Sequence, residues 1–168
     1  KTVYSGSQFG AYSRQTIGTR ERRSVRPARD LGETPLRYNW QTPILLSRHN
    51  QDVFYYGSNK FHRSMNRGDS LVTMSADLTT NPKQGDVPFG TLTTMSESPL
   101  RFGLIYVGSD DGNIQVSKDG GYTWTSINKK LPKGLYVSRV LASAYSESRV
   151  YVTMNGYRND HFNAYVYV

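Results

Sequence analysis

Ser117-Lys118-Asp119-Gly120-Gly121-Tyr122-Thr123-Trp124 decides how this chain is read, because it occurs twice. A weaker copy, Ser64-Met65-Asn66-Arg67-Gly68-Asp69-Ser70-Leu71, lies 53 residues earlier. Both keep Ser, then Asp or Asn, then Gly, then Ser or Thr, then an apolar residue. That order suits a tight turn between two strands. Asp119 can accept hydrogen bonds from backbone N–H groups ahead of it. Gly121 suits a backbone conformation that a side chain forbids. Ser117 closes the incoming strand, and Trp124 covers the junction with apolar surface. All the neighbours of Asp119 serve the turn, so its carboxylate reads as a folding device and not as a catalytic acid.

A second repeat runs through the chain in the same phase. Val3-Tyr4-Ser5-Gly6-Ser7, Phe54-Tyr55-Tyr56-Gly57-Ser58 and Ile105-Tyr106-Val107-Gly108-Ser109 stand 51 residues apart, with a degenerate fourth copy at Val150-Tyr151-Val152-Thr153-Met154. Each is a β-branched and aromatic run closed by Gly-Ser, the pattern of a strand entering a turn. Apolar runs at 44–47, 91–95 and 138–143 precede these strands, a third run follows each, and a fourth follows the Asp turn. Strands are therefore expected near 43–47, 52–57, 60–64, 70–74, 91–96, 103–108, 113–117, 122–127, 136–143 and 148–154. Four short antiparallel strands per unit predict an all-β protein built as a β-propeller segment. The units are a partial blade and linker over 1–36, a blade with the degenerate Asp turn over 37–89, a blade with the full Asp turn over 90–134, and a partial blade over 135–168. Lys1 falls just before a second strand and Val168 closes a third, so the chain is expected to be a piece of a larger propeller whose remaining blades are its first partners.

Composition narrows the function classes. The chain has 168 residues, 13 Tyr, no Cys and three His. A disulfide framework and a thiolate metal site are excluded, and a histidine-rich metal centre is not expected; no cofactor is predicted. No apolar run is long enough to span a membrane as a helix. The net charge is +8, with Arg14, Arg20, Arg22, Arg23, Arg26 and Arg29 clustered near the start. No recognised RNA or DNA motif accompanies them, so they read as the solvated face of an outer strand instead of a nucleic-acid surface.

The Ser-x-Asp-x-Gly-x-Thr-Trp pattern at Ser117–Trp124 resembles the Asp-box, or BNR, repeat. The match is complete there and departs at Asn66 and Leu71 in the earlier copy. Arg37–Pro43, Tyr56–Ser64 and Ser75–Thr79 are likewise similar to large secreted BNR-repeat proteins, of the sortilin type and of the xyloglucanase type labelled glycosyl hydrolase-like. The resemblance implies a secreted, periplasmic or extracellular propeller that binds carbohydrate or protein. It equally allows a glycoside hydrolase with part of its active site outside this chain, or a structural scaffold. The Arg-Ile-Pro motif of sialidases is missing; Val25-Arg26-Pro27 is not one.

Ligands of propellers meet the chain at the mouth of the central channel. Aligning the first strands makes Trp40, Thr91 and Tyr136 equivalent, then Thr42, Thr93 and Ser138, then Pro43, Thr94 and Arg139. Trp40, Thr42, Thr93, Tyr136, Ser138 and Arg139 are the candidate binding residues: aromatic faces for sugar rings, hydroxyls for directional hydrogen bonds, and a cation. The alternative is that Trp40 and Tyr136 pack between blades while Arg139 pairs with a carboxylate. Two further places stand out, the long polar loop Asn155–Phe162 and the connection from Asp77 to Gly90 with its Asn81-Pro82 and Val87-Pro88. Glycosidase chemistry needs two carboxylates about 5–10 Å apart. Glu97, Asp110, Asp111 and Asp160 are the candidates, though no pair stands out.

Overall fold

The computed structural model describes residues 2–80 and 87–168; Lys1 and the Asn81-Pro82 step lie outside them. Apart from one short 3₁₀ turn, the regular structure there is antiparallel β in four sheets. The first holds β1 (Thr2–Gly6), β2 (Tyr12–Thr16) and β3 (Arg22–Val25). The second runs β4 (Ile44–Leu46), β5 (Phe54–Gly57), β6 (Phe61–Ser64) and β7 (Val72–Thr73). The third repeats it with β8 (Leu92–Glu97), β9 (Ile105–Ser109), β10 (Ile114–Ser117) and β11 (Thr125–Ser126). The fourth has β12 (Tyr136–Ala142), β13 (Val150–Gly156) and β14 (His161–Tyr167). Strand order in each sheet equals chain order, so every connection inside a sheet is a hairpin. The expected strands at 70–74 and 122–127 shrink to two residues each, because Ser70 and Thr123 are held by the preceding turn.

Consecutive sheets pack face to face through three apolar layers. Val25, Tyr38, Phe54 and Tyr56 fill the first layer. Val53, Tyr55, Phe61, Leu92, Ile105 and Val107 fill the second. Tyr106, Ile114, Val116, Val137, Val140, Val152 and Met154 fill the third. β5 and β9 are thus covered on both faces, which is why they read as unbroken apolar-aromatic runs without polar alternation. Phe54 and Tyr56 face the first sheet while Tyr55 between them faces the third, as a period of two requires.

Buried tyrosines must also satisfy a hydroxyl. Tyr12 Oη donates to the Thr42 carbonyl and Tyr56 Oη to the Gly10 carbonyl, each at 2.6 Å, lacing the first sheet to the second. Tyr55 Oη donates to Glu97 Oε1 at 2.7 Å, lacing the second to the third. Tyr106 Oη reaches the Glu147 carbonyl at 3.1 Å, in the fourth unit. Tyrosine serves here as a packing residue with a polar tether.

The Gly of the Tyr-x-Gly-Ser repeat has a different role from the turn expected of it. Gly57 and Gly108 lie inside strands, pair in register and have no positive φ. A Cβ on Gly57 would sit 2.9 Å from Pro43 Cγ and 3.2 Å from Leu92 Cβ; one on Gly108 would sit 2.9 Å from Val137 Cβ. These glycines let the first strand of the next sheet come close. Gly108→Ala is expected to destabilise by about 1–3 kcal/mol through overpacking against the stiff, buried Val137, measured by urea denaturation.

His62 on β6 is completely buried. Its Nε2 lies 2.8 Å from Ser58 Oγ and its Nδ1 3.0 Å from Thr73 Oγ1. Burial, with a smaller push from the Lys60 charge, holds the imidazole pKa down at about 3 against 6.5 in a free side chain. Between those values the unfolded chain binds a proton that the folded protein refuses, so stability is lost as pH falls through that window. Unfolding free energy should drop by about 2 kcal/mol from pH 8 to pH 5 through this one group, and His62→Gln should remove that slope.

Candidate functional site

The two Asp-type turns close the β6–β7 and β10–β11 hairpins with one network. At the complete copy, Asp119 Oδ1 accepts from the backbone N–H of Tyr122 (3.0 Å) and Thr123 (2.9 Å), and Thr123 Oγ1 donates to Oδ2 at 2.6 Å. Ser117 Oγ donates to Asp119 Oδ1 and accepts from Gly121 N, each at 2.8 Å. At the earlier copy Asn66 Oδ1 takes the same place, accepting from Ser64 Oγ at 2.8 Å and Ser70 N at 3.0 Å, while Ser64 Oγ accepts from Gly68 N at 2.8 Å. The amide fits because its Oδ1 accepts as the carboxylate does and its Nδ2 donates to Ser70 Oγ at 3.0 Å, where Asp119 instead accepts from the Thr123 hydroxyl. Gly121 has φ 103° and Gly68 φ 88°, the left-handed conformations that the spacing requires. Trp124 differs from expectation: it is only half-buried, with Nε1 donating to the Gly121 carbonyl at 2.9 Å and its ring edge against Phe61 of the second sheet at 5.1 Å.

The acidic candidates are spread through the inter-sheet contacts. Glu97 is buried and accepts from Ser47 Oγ (2.6 Å), Tyr55 Oη (2.7 Å) and Gly103 N (3.2 Å). Asp110 is buried against Thr91, whose N–H and hydroxyl both donate to it, at 2.8 and 2.5 Å. Burial outweighs those bonds and pushes its carboxyl above the usual range. Asp111 accepts from Ser109 Oγ and from Thr80 N and Oγ1. Asp77 feels burial upward, but bonds from Thr79, Arg37 and Asn59 outweigh it and hold the carboxyl low. Asp160 is exposed at a left-handed φ of 52° in the β13–β14 loop. Among the described residues no three His, Asp or Glu side chains cluster as metal ligands.

The first strands β4, β8 and β12 lie side by side, and their opening residues form the candidate surface. Thr93 and Ser138 are the extra residues of β-bulges, so they pair with no residue of the second strand. Thr93 Oγ1 is freed to donate to the Val137 carbonyl of the neighbouring sheet at 2.5 Å, and Ser138 Oγ meets Thr153 Oγ1 at 2.9 Å. Thr42, Thr93, Tyr136, Ser138 and Arg139 line one cleft of about 410 Å³. Arg139 is exposed there and has no carboxylate partner among the described residues.

Trp40 is not in that cleft. It lines a neighbouring cavity of about 480 Å³ with Val87, Pro88, Phe89, Tyr136, Asn155 and Arg158, among others. Tyr136 borders both spaces. The cause is the connection into the first strand: Asn39 donates to Thr91 Oγ1 at 3.0 Å, its Oδ1 accepts from Gln41 N, and its carbonyl accepts from Thr42 Oγ1. That knot turns Trp40 outward onto the edge of Phe9. Sequence alignment could equate Trp40 with Tyr136 but could not show this turn. The two outlying segments flagged by the sequence come together here. The expected long loop at Asn155–Phe162 is shorter than that, because Asn155 and Gly156 end β13 and His161 and Phe162 begin β14. Between them a 3₁₀ turn at Tyr157–Asn159 lays the Arg158 guanidinium over the Tyr136 ring at 5.0 Å, and the Asp77–Gly90 connection supplies Val87, Pro88 and Phe89.

The arginines of the first sheet are only in part the solvated face expected of them: the Arg14 side chain is 13 % exposed, and the acid it meets belongs to the Ser-Asn turn of the second sheet. Arg14 and Arg23 both meet Asp69 Oδ1, at 2.8 and 2.6 Å, and Arg26 lies over the Tyr38 ring. The chain matches no family model and has no significant similarity to a curated protein.

The turns yield a paired expectation. Ser117→Ala strips a buried N–H, that of Gly121, of its acceptor and should cost about 1–3 kcal/mol. Asp119→Asn should leave neutral-pH stability close to wild type, as Asn66 does the same work. The hydrogen bonds to Thr123 and Ser117 hold the Asp119 carboxyl at about 2 against 3.8 when free. Its contribution is therefore complete above pH 3.8 and lost as pH falls through 2, and Asp119→Asn should abolish that part of the acid transition in a pH-resolved unfolding series.

Proposed function

We propose that the four sheets are consecutive blades of an Asp-box β-propeller of the secreted BNR-repeat kind, and that this part of it binds oligosaccharide where the first strands open. The observation that carries the reading is the cleft lined by Thr42, Thr93, Tyr136, Ser138 and Arg139. The equivalent residues Thr42, Thr93 and Ser138 of three sheets meet Tyr136 and Arg139 in one concave space, where the Arg139 cation has no carboxylate partner among the described residues. Face-to-face packing of sheets in chain order, neighbouring first strands and a shared turn at the third hairpin support the propeller part.

Hydroxyl-bearing side chains give the directional bonds that a sugar ring uses, and Arg139 favours an acidic group on the ligand. The buried carboxylates of Glu97, Asp110 and Asp111 are engaged in bonds that hold sheets together, which favours binding over glycoside hydrolysis as the role of this surface. An acidic oligosaccharide identified on a glycan array should bind Arg139→Ala about tenfold more weakly than wild type, the loss of one charge-assisted hydrogen bond. Equal binding by the two proteins would overturn the assignment, and capture of extended peptides with no glycan signal would replace sugar by protein as the ligand.

A further inference from the structure

The cavity on the other side of Tyr136 has two features that folding does not explain. Trp40 is 57 % exposed at its wall, an indole whose one ring contact among the described residues is the edge of Phe9. Asn155 lines the same space, and its Oδ1 is buried with no hydrogen-bond partner, the one such side-chain atom among the described residues. Leaving an acceptor buried and unpaired is costly, so a donor reaching it from this cavity, a ligand hydroxyl or a water bridging to one, is stabilising. The volume, about 480 Å³, falls in the range of small-molecule sites.

We propose that this cavity is a second sugar subsite, holding one ring of the same oligosaccharide whose acidic unit lies in the Arg139 cleft. The inference rests on the glycan reading of that cleft. A pyranose has an apolar C–H face for Trp40 and hydroxyl donors at its rim for Asn155 Oδ1. A wholly apolar ligand leaves Asn155 unsatisfied, and the wall carries both the Asp110 carboxylate and the Arg158 guanidinium, an acceptor and a donor that suit a polyhydroxylated ring. Arg158 is fixed there by the Tyr136 ring face and by its Nε donating to Tyr157 Oη at 3.1 Å, which leaves other N–H groups for ligand oxygens. Tyr136 borders both spaces, so it forms the ridge between adjacent rings. Arg139 and the bulge hydroxyls set what the first ring carries, and Trp40 with Asn155 sets how long the ligand must be.

The test titrates the intact protein with oligogalacturonates of one, two and three units, and with neutral cello-oligosaccharides of the same lengths. Wild type should bind the acidic disaccharide about tenfold tighter than the monosaccharide. Trp40→Ala and Asn155→Ala should lose that gain, Trp40→Phe should keep part of it, and Arg139→Ala should weaken every acidic length by one common factor. Indole emission should shift with the disaccharide and not with the monosaccharide, a readout that survives if Trp40→Ala folds poorly. Binding that depends on Arg139 while the length gain persists in both cavity variants would overturn the second subsite alone. Failure of both series to bind wild type would overturn the glycan reading, and this proposal with it.

Discussion

The close approach of β8 to Gly57 and of β12 to Gly108, each glycine in the sheet before, sets the geometry of this protein. Gly57 lets Leu92 and Pro43 come within contact of its backbone, and Gly108 does the same for Val137. With that spacing β5 and β9 are sealed on both faces, so their residues must be apolar on every position or carry a tether for their polar ends. Tyrosine meets both demands. The hydroxyls of Tyr12, Tyr55, Tyr56 and Tyr106 cross from one unit to the next and bind acceptors there. Close packing and polar satisfaction are therefore achieved by the same side chains at these four positions.

Local turns and inter-sheet contacts divide the work differently. The Ser-Asp and Ser-Asn turns are closed within eight residues, and the preceding sheet then docks on each: Arg14 and Arg23 bind Asp69, and Arg63 donates to the Gly120 carbonyl. Their centre is the serine hydroxyl, which accepts from a buried glycine N–H and donates to the acid or amide. The carboxylates between sheets are long-range devices instead. Glu97 joins Ser47 and Tyr55 to its own hairpin, and Asp110 joins the β9–β10 turn to the strand entry at Thr91. Such groups stand out as acid candidates in a sequence, and in the fold they carry bonds between sheets.

The candidate surface arises where the regular ladder is broken. Bulges at Thr93 and Ser138 release one residue per first strand from the pairing register, and those residues border the cleft beside Arg139. A regular strand would have spent their backbone groups on the ladder and turned their side chains into alternate faces. The second cavity has a similar origin: irregular connections, at Trp40, Val87–Phe89 and Tyr157–Asn159, converge over Tyr136.

Strand positions, hairpin order and the turn chemistry were legible from residues 3–7, 54–58, 105–109, 64–71 and 117–124 alone, because these depend on interactions within a hairpin and repeat with it. The equivalence of Thr42, Thr93 and Ser138 was legible for the same reason. Only the tertiary structure decided that Gly57 and Gly108 serve a contact between sheets and not a turn, since the atoms they make room for lie in the next unit. It also separated Trp40 from the cleft, brought the Asn155–Phe162 segment to it across Tyr136, and left Asn155 Oδ1 without a partner among the described residues. Those outcomes depend on where connections of different length and sequence come to rest against one another. A repeat dictates what its copies share, whereas a binding site is made of the places where they differ.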